Sequence, residues 1–473
     1  MKIIHFLFEI LTYGIFIYSI ALLLFYLLIV AYSIAEIKLY MKKSSFTDYD
    51  LLASSEYAPT ISIIAPAYNE EANIIENVRS LLAVHYNNIE LILINDGSND
   101  ETLDKLIQAY QLIKVPFLIN EKIKTKPVRN IYKSGNPLYH KLIVIDKENG
   151  GKADALNTGI NVATNKYIVC IDVDCVLEQD AMLKLIKPFL EETDKRVIAT
   201  GGVVRIANSC EIVNGKLVKV HLPKKLLPRI QTLEYIRAFL LGRMAWSRMN
   251  GLLIISGAFG AFDREIVIAA GGYNPATVGE DMELIVRMRR YMHENKLPYK
   301  VSYIPDPLCW TEAPCSYKIL GRQRNRWTRG TIETLKIHKK MFLNKRYGVL
   351  GILSYPYWFF FELLAPVIEF SGFVFLLITA LFGLVSLQIF LLILGCILGF
   401  GFLYSIFAIL IEVTTFNQYK KRSHVLRLIM TAFMEPFIFH PFVVWSAVRG
   451  NIDYLQKKKS WGEMTRQGLN MKN

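Results

Sequence analysis

The sequence predicts an α/β domain with a mostly parallel sheet, joined to a bundle of membrane-spanning helices. The chain has 473 residues, of which 52% are hydrophobic, and its mean hydropathy is +0.28. This apolar excess lies almost entirely in the first 33 residues and between about residues 347 and 448. In the stretch between these two regions, continuous apolar runs of the length of a strand alternate with segments whose apolar residues recur at the spacing of a helix. These observations exclude a purely soluble enzyme, a disordered chain and a small disulfide-stapled domain.

The apolar segments predict at least three membrane spans. Residues 11–33 are long enough to cross a bilayer, which takes about 20 residues, and too long for the apolar part of a signal peptide, so they are interpreted as an anchor. Two more spans are expected within residues 355–382 and 384–416. Residues 426–448 are interrupted by two prolines, a glutamate and a histidine, so spanning, re-entrant and interfacial positions stay open for them.

Basic residues determine the expected orientation. Lys38, Lys42 and Lys43 follow the first span, whereas only Lys2 precedes it, and this asymmetry places the middle of the chain in the cytoplasm. The prediction is a multi-pass protein of the inner (cytoplasmic) membrane whose large domain faces the cytoplasm. Its expected parts are an anchor at residues 1–45, a cytoplasmic domain at 46–345, a membrane bundle at 346–450 and a basic cytoplasmic tail at 451–473.

The net charge of +14 results from 55 lysines and arginines against 41 acidic residues. Many of the basic residues flank apolar segments, where anionic lipid headgroups are the simplest partner. Neither zinc-finger spacing nor an RNA-binding aromatic signature occurs, so nucleic acid is not an expected partner. The six cysteines form no CxxC pair, and free thiols are expected for a domain in a reducing cytosol.

The middle of the chain predicts βαβ units. Apolar runs indicate strands at residues 60–66, 90–95, 141–146 and 167–171. One helix is expected at 72–84 and another from Lys152, and strands that alternate with helices form a parallel sheet covered on both faces. A polar excursion at 112–140 is too long for an ordinary connection, so it is expected to be a functional or mobile loop.

Polar clusters follow three of the predicted strands. They are Ala67-Tyr68-Asn69-Glu70, Asn95-Asp96-Gly97-Ser98 and Asp172-Val173-Asp174. Because ligands bind beyond the carboxyl ends of parallel strands, these clusters are the first functional signal. The carboxylates of Asp172 and Asp174 suit Mg²⁺ or Mn²⁺, hard cations that bridge phosphates, although a solvated turn is the alternative.

Two further motifs place charge at the start of predicted helices. Glu280 and Asp281 open an amphipathic helix, where they act either as helix-capping carboxylates or, for one of them, as a general base that removes a proton from an attacking hydroxyl. Gly150-Gly151-Lys152 also precedes a helix, and its amides and ammonium suit an anion.

A basic motif, Gln323-Arg324-Asn325-Arg326-Trp327, combines guanidinium groups with an indole ring. Arginine forms forked bonds to phosphate, and a tryptophan offers a stacking face for a sugar. The alternative is a helix on the membrane surface with an interfacial tryptophan, and we favour that interpretation for Arg322, Arg324 and Arg329.

Taken together, these motifs resemble those of the membrane-embedded, inverting family 2 glycosyltransferases, the group of cellulose, hyaluronan and poly-N-acetylglucosamine synthases. The resemblance covers about residues 55–335, and the flanking membrane segments are similar too. It implies a GT-A domain, which is a Rossmann-like fold that binds nucleotide-diphospho-sugars, beside an α-helical membrane bundle. The motif set is specific for the family and not for the sugar.

The resemblance also implies a role for each motif residue. On the donor side, Ala67, Tyr68 and Glu70 are expected to hold the nucleotide base, Asp96 to contact uracil, Lys152 to lie near the diphosphate, Asp172 to contact the nucleotide and Asp174 to bind the divalent cation. On the acceptor side, Asp281 is the expected general base with Glu280 beside it, and Gln323, Arg326 and Trp327 are expected to close over the diphosphate and line the acceptor site. Residues 256–260 match the acceptor-side loop of the family in position.

Three hypotheses of function stay open. In the first, a processive synthase transfers sugars from a UDP-sugar to a growing polysaccharide and extrudes it, with Glu362, Glu369 and Glu412 facing the bundle interior or a polar path. In the second, a non-processive transferase adds one sugar to a membrane lipid. In the third, the chain is an inactive scaffold, which the presence of every expected carboxylate disfavours. An enzyme would need a UDP-sugar, a polysaccharide or glycolipid acceptor, Mg²⁺ or Mn²⁺ and membrane lipids, with accessory export or regulatory subunits as further partners.

Overall fold

The structure is a computed structural model that describes residues 2–55, 58–191, 194–383, 387–419 and 421–458. The last part of the predicted basic tail, residues 459–473, lies outside the described residues. Twelve strands are present in the described chain: β1 (Ile61–Ala67), β2 (Ile89–Asp96), β3 (Leu112–Lys114), β4 (Val128–Ser134), β5 (Leu142–Lys147), β6 (Tyr167–Ile171), β7 (Val176–Leu177), β8 (Arg196–Ile206), β9 (Glu211–Val213), β10 (Lys216–Lys219), β11 (Phe259–Asp263) and β12 (Tyr299–Thr311).

Helices cover the sheet, and long apolar helices lie at the two ends of the chain. Those of the middle region are α2 (Tyr49–Ser54), α3 (Ile74–Leu82), α4 (Thr102–Tyr110), α5 (Lys152–Val162), α6 (Ala181–Leu190), α7 (Leu226–Ile236), α8 (Met244–Arg248), α9 (Arg264–Ala269), α10 (Glu280–Glu294) and α11 (Tyr317–Ile337). A π-helical segment, Arg237–Arg243, joins α7 to α8 in one continuous helix, called helix 226–248 below.

Ten strands form one sheet in the order β3-β4-β5-β2-β1-β6-β11-β8-β12-β7, and β9 and β10 form a separate hairpin. The centre of the sheet is parallel, since β1 pairs in parallel with both β2 and β6, and β2 with β5. The central strands are buried on both faces, which explains why they are continuous apolar runs. The chain therefore has a mixed α/β sheet whose parallel centre directs several carboxyl ends to one edge.

The predicted strands are confirmed, and each begins and ends within one or two residues of its predicted position. The predicted start of a helix at Lys152 is also confirmed. The excursion at 112–140 is not a single loop, because β3 and β4 lie within it and pair antiparallel at the edge of the sheet. Ile131 and Tyr132 are the buried residues of β4, and an edge strand with so few apolar side chains has a weak sequence pattern.

Two helical segments of the described chain are long and apolar enough to cross a membrane, Tyr13–Ser44 within α1 (Lys2–Ser44) and Leu394–Thr415 within α14 (Leu387–Thr415). Two bent pairs qualify when each is counted as one span. They are Leu350–Leu363 with Ala365–Leu381, bent by 41°, and Arg422–Ile438 with His440–Leu455, bent by 47°.

The helices of these bent pairs complete the numbering. They are α12 (Tyr355–Tyr357), which lies between π-helical segments at Leu350–Ser354 and Trp358–Leu363, then α13 (Ala365–Leu381), α15 (Arg422–Ile438) and α16 (His440–Leu455). The bend in the second pair falls inside the stretch whose membrane position the sequence leaves open.

Ion pairs attach the middle region to the apolar helices. Arg205 of β8 pairs with Glu412 of α14, and both side chains are fully buried. Arg237 pairs with Glu435 of α15 and also donates to Ser405 Oγ at 2.6 Å. Glu412 therefore faces the protein interior, as expected for an acidic residue in an apolar helix.

Candidate active site

A cavity of about 580 Å³ lies beyond the carboxyl end of β6. Its walls are the start of α10, the helix α11, helix 226–248 and residues 357–366, which lie around the bend between Leu350–Leu363 and Ala365–Leu381. Seven residues that the sequence singles out line it together: Lys152, Asp172, Glu280, Asp281, Gln323, Arg326 and Trp327. The structure thus joins motifs that are up to 175 residues apart in the chain into one pocket.

Lys152 is surrounded by carboxylates in the lining of this cavity. Its Nζ lies 2.5 Å from Asp172 Oδ1 and 4.0 Å from Glu280 Oε1, and it donates to the carbonyl of Gly257 at 2.9 Å. Burial by itself lowers the pKa of Lys152, but the surrounding carboxylates outweigh burial and raise that pKa above its ordinary value. Lys152 therefore stays charged at neutral pH and can attract a phosphate.

Glu280 and Asp281 occupy the first turn of α10, as predicted, and their surroundings differ. Glu280 is buried, and this burial raises the pKa of Glu280 in spite of the opposing charge of Lys152. Asp281 lies against Gly257, where an added methyl group would come 2.5 Å from Asp281 Oδ2. Of the two carboxylates, Asp281 is the less buried, so it is the better placed to meet a substrate hydroxyl.

Helix α11 carries the basic motif along the cavity wall. The indole of Trp327 is 41% exposed, and the Arg324 guanidinium lies 4.1 Å from the centre of that ring. Arg324 is buried and pairs with Glu234 of α7 at 2.6 Å, while Arg329 is buried and donates to the Lys458 carbonyl at 2.5 Å. The interpretation of Arg324 and Arg329 as membrane-surface arginines is therefore wrong, because both side chains point into the protein.

The carboxylates after β6 have the chemistry of a divalent-cation site. Asp172 lines the cavity, and Asp174 follows it in the same turn, which is closed by a bond from the Cys175 N–H to the Asp172 carbonyl at 3.0 Å. Within the described residues, no cluster of three or more histidine, cysteine, aspartate or glutamate side chains could hold a metal ion alone. Two hard oxygen donors beside an open cavity fit Mg²⁺ or Mn²⁺ that is shared with phosphate oxygens and water.

The residues expected to hold a nucleotide base lie at the ends of β1 and β2, next to the cavity and outside its lining. Ala67 is buried at the end of β1, the side chain of Tyr68 is 48% exposed, and the Glu70 N–H donates to Thr102 Oγ1 at 2.9 Å. Because β1 pairs with β6, this group lies beside Asp172 along the sheet edge.

Asp96 organises the turn that carries Lys152. Its carboxylate accepts bonds from the Gly150 and Gly151 amides at 3.0 and 2.8 Å and from Lys147 Nζ at 2.9 Å. Lys147 is fully buried and also pairs with Asp154 at 2.6 Å. Lys147 is not recognisable from the sequence, since its position opposite Asp96 follows from the register of β2 and β5.

The deep end of the cavity is aromatic and polar. Tyr235, Phe239 and Trp246 line it from helix 226–248, and Tyr357 and Trp358 line it from the membrane side. Arg243, whose guanidinium lies 4.1 Å from the centre of the Phe239 ring, and Glu362 are charged residues of the same lining. Aromatic faces with a few charged groups are the surroundings in which sugar rings stack and form hydrogen bonds.

Comparisons with known proteins identify the family of the chain. The family model described as "Glycosyl transferase family 2" matches residues 62–250, and that described as "Glycosyl transferase family group 2" matches residues 167–404, half of the chain. The poly-β-1,6-N-acetyl-D-glucosamine synthase of Staphylococcus aureus (strain COL) is 30% identical over 278 residues, which are 58% of this chain and 55% of that protein. The synthase of the same name from Staphylococcus epidermidis (strain ATCC 35984) is 28% identical over 299 residues, 63% of this chain and 60% of that protein.

This chain therefore matches little more than half the length of these curated relatives.

Among solved structures, the mannosyltransferase PcManGT from Pyrobaculum calidifontis in complex with GDP-Man and Mn²⁺ has a TM-score of 0.49 at 18% identity, covering 87% of this chain and 99% of that one. The family models, the α/β sheet and the gathered motifs lead to one conclusion: the chain is an enzyme with a GT-A type domain that belongs to glycosyl transferase family 2.

Proposed function

We propose that the protein transfers a sugar from a UDP-sugar to the end of a growing polysaccharide, with inversion at the anomeric carbon, and passes the product between its membrane helices. The observation that carries this proposal is the continuity of the cavity. Its lining runs from Lys152 and Asp281 to Glu362, Pro366 and Val443, which belong to the apolar helices. A polymer that grows at Asp281 would thus have a path lined by the membrane part of the same chain.

In the proposed reaction, Asp281 acts as the general base. The acceptor oxygen attacks the anomeric carbon from the side opposite the diphosphate, the bond between that carbon and the diphosphate oxygen breaks, and UDP leaves. The proton of the acceptor hydroxyl moves to the Asp281 carboxylate. Glu280 lies next to Asp281 and lines the same cavity, and burial raises the pKa of Glu280.

The cationic side chains bind the donor diphosphate. Lys152 is charged within the cavity, and Arg326 lines the same cavity from α11, so that phosphate oxygens bound there would meet positive charge from two elements of the fold. Asp174, with Asp172 beside it, would hold Mg²⁺ or Mn²⁺, which stabilises the negative charge on the departing diphosphate. Ala67, Tyr68 and Glu70 are proposed to hold the base, with Asp96 beside uracil.

The acceptor end is proposed to stack on Trp327, with Gln323 one turn earlier on the same helix face. Both residues line the same cavity as Asp281 and the aromatic residues of helix 226–248. The staphylococcal relatives are poly-β-1,6-N-acetyl-D-glucosamine synthases, and this similarity favours N-acetylglucosamine as the transferred sugar. Polar contacts to the N-acetyl group would account for this choice, because a donor that lacks the matching group leaves buried partners unsatisfied.

The second candidate is transfer of a single sugar to a membrane lipid. It is supported by the same cavity, because Leu363 and Pro366 place apolar surface beside the acceptor end. The two candidates share the base, the donor site and the cation, and they differ in the size of the product.

The test measures UDP release by the purified full chain in lipid nanodiscs with Mn²⁺ or Mg²⁺. The donors are UDP-N-acetylglucosamine, UDP-glucose, UDP-glucuronic acid and UDP-galactose, and Asp281→Asn is the control. We expect release from one donor, dependence on Asp281 and a product of high mass. A product of lipid size would support the second candidate instead, and undiminished release by Asp281→Asn would contradict the proposed base.

The membrane arrangement is part of the proposal. The catalytic domain is proposed to face the cytoplasm, where nucleotide sugars are made, with the apolar helices crossing the inner membrane. Cysteines introduced singly at Leu118 and Leu138, which are 94% and 82% exposed on the domain, test this arrangement. A membrane-impermeant maleimide should label them in inverted membrane vesicles and not in intact cells, and the opposite pattern would contradict this orientation.

A further inference from the structure

The turn before the proposed base is held by a carboxylate from a different helix. Glu333 Oε2, on α11, accepts a bond from Thr277 Oγ1 at 2.8 Å and another from the Val278 N–H at 2.9 Å. Thr277 Oγ1 in turn accepts the Gly279 N–H at 3.2 Å. Three consecutive residues of the turn are therefore tied, directly or through one hydroxyl, to a single oxygen atom.

The backbones of the two helices also touch at this place. A methyl group placed on Gly279 would lie 2.7 Å from the Gly330 Cα, and one placed on Gly330 would lie 2.7 Å from the Gly279 Cα. No other residue type fits at either position without moving a backbone. The start of α10 thus rests directly on α11, one helical turn before Glu333.

This contact joins two parts of the active site. The turn at residues 277–279 leads directly into Glu280 and Asp281, whereas α11 carries Gln323, Arg326 and Trp327 on the same rigid element as Glu333. Glu333 lies six positions after Trp327, a separation of about 9 Å along a helix. The position of the base relative to the acceptor wall therefore depends on how Glu333 holds the turn.

We propose that Glu333 is a positioning residue, which fixes the distance between the Asp281 carboxylate and the acceptor site on α11. This inference rests on the proposed function. Glu333 touches neither donor nor acceptor in the proposed reaction, since it is outside the cavity lining. Its loss should slow the chemical step and leave donor binding nearly unchanged.

Two variants separate positioning from charge. In Glu333→Gln, the amide oxygen can take the place of Oε2 and accept both bonds, whereas Glu333→Ala removes the acceptor. We expect Glu333→Ala to lower kcat by roughly tenfold or more, with a donor KM within about twofold of wild type, and Glu333→Gln to restore most of the rate. Glu294→Ala is the matched control, because it removes a carboxylate bonded to Arg290 and Tyr347 at the far end of α10.

Hydrogen exchange supplies a readout that does not need activity. The Val278 and Gly279 amides should exchange faster in Glu333→Ala than in wild type, Glu333→Gln or Glu294→Ala, at equal melting temperature. Unchanged kcat in Glu333→Ala, an equal loss in Glu333→Gln, or a parallel rise in donor KM would overturn the positioning role. If wild type releases no UDP from any donor, the proposed function fails. In that case hydrogen exchange still tests the contact, because an exchange rate of the Val278 and Gly279 amides that is the same in Glu333→Ala as in wild type would show that Glu333 does not hold the turn.

Discussion

The guanidinium of Arg324 lies 4.1 Å from the centre of the Trp327 indole, and the same group pairs with Glu234 at 2.6 Å. Arg324 is buried, whereas Trp327 is 41% exposed and lines the cavity. One face of the indole is thus covered by a fixed cation. A sugar that enters the cavity has the other face to stack on.

Replacing Arg324 by leucine should weaken acceptor binding. The change removes a cation–π contact of about 0.5–2 kcal/mol and leaves the Glu234 charge uncompensated, so the indole loses its support. We expect the KM for an oligosaccharide acceptor to rise about tenfold, with a smaller change in donor KM. Arg322→Leu, on the same helix and outside the cavity lining, is the control, and an unchanged acceptor KM in Arg324→Leu would contradict the assignment.

The raised pKa of Glu280 predicts a pH-dependent cost to stability. Because the folded protein disfavours the charged form of Glu280, this residue costs no stability below the ordinary glutamate pKa, and the cost grows as pH rises through the raised folded value. Glu280→Gln should therefore raise the melting temperature relative to wild type more at pH 8 than at pH 4. Thermal unfolding of both proteins in nanodiscs at pH 4 and pH 8 checks this prediction. It would be contradicted if the difference in melting temperature between Glu280→Gln and wild type were smaller at pH 8 than at pH 4.

A side chain at Gly257 should disturb the proposed base, because a methyl group there would come 2.5 Å from Asp281 Oδ2. Gly257→Ala is expected to displace the carboxylate and to reduce kcat by about a hundredfold. Gly242→Ala is the matched control, since Gly242 lines the same cavity and a methyl group there meets no atom within 4 Å. Both variants should be compared by UDP release and by melting temperature, and equal activity would refute the prediction.

The buried pair of Arg205 and Glu412 should show strong coupling in a double-mutant cycle. Arg205→Met or Glu412→Gln alone leaves an uncompensated charge or polar group in the interior, at a cost of about 3–5 kcal/mol. The double variant should recover much of this loss, because neither charge remains. Thermal unfolding of the four proteins measures the coupling, and additive losses would argue against a direct interaction.

The central strands and the motif residues at their ends were predictable from the sequence. The runs at β1, β2, β5 and β6 are apolar because both faces of the sheet are covered, and polar residues begin where each strand ends. Lys152 was recognisable for a similar local reason, since two glycines precede it at the start of a helix. These features depend on residues that are neighbours in the chain.

The partners of these residues were not predictable, because they depend on packing. Glu333 holds a turn 55 residues before it, Arg324 pairs with a glutamate 90 residues away, and Lys147 meets Asp96 only through strand register. The assignment of Arg324 and Arg329 to the membrane surface was wrong for this reason. An arginine near apolar segments has the same local pattern whether it faces lipid headgroups or a buried carboxylate.

Three ion pairs also determine how the domain is held on the membrane helices. Glu36, Glu412 and Glu435 belong to α1, α14 and α15, and each pairs with an arginine of the sheet or of helix 226–248. A body held at two points can still turn about the line that joins them, whereas a third attachment on another helix blocks that turn. The orientation of the sheet relative to these three helices is therefore constrained at three separate points, and loss of any one pair would remove one of these constraints.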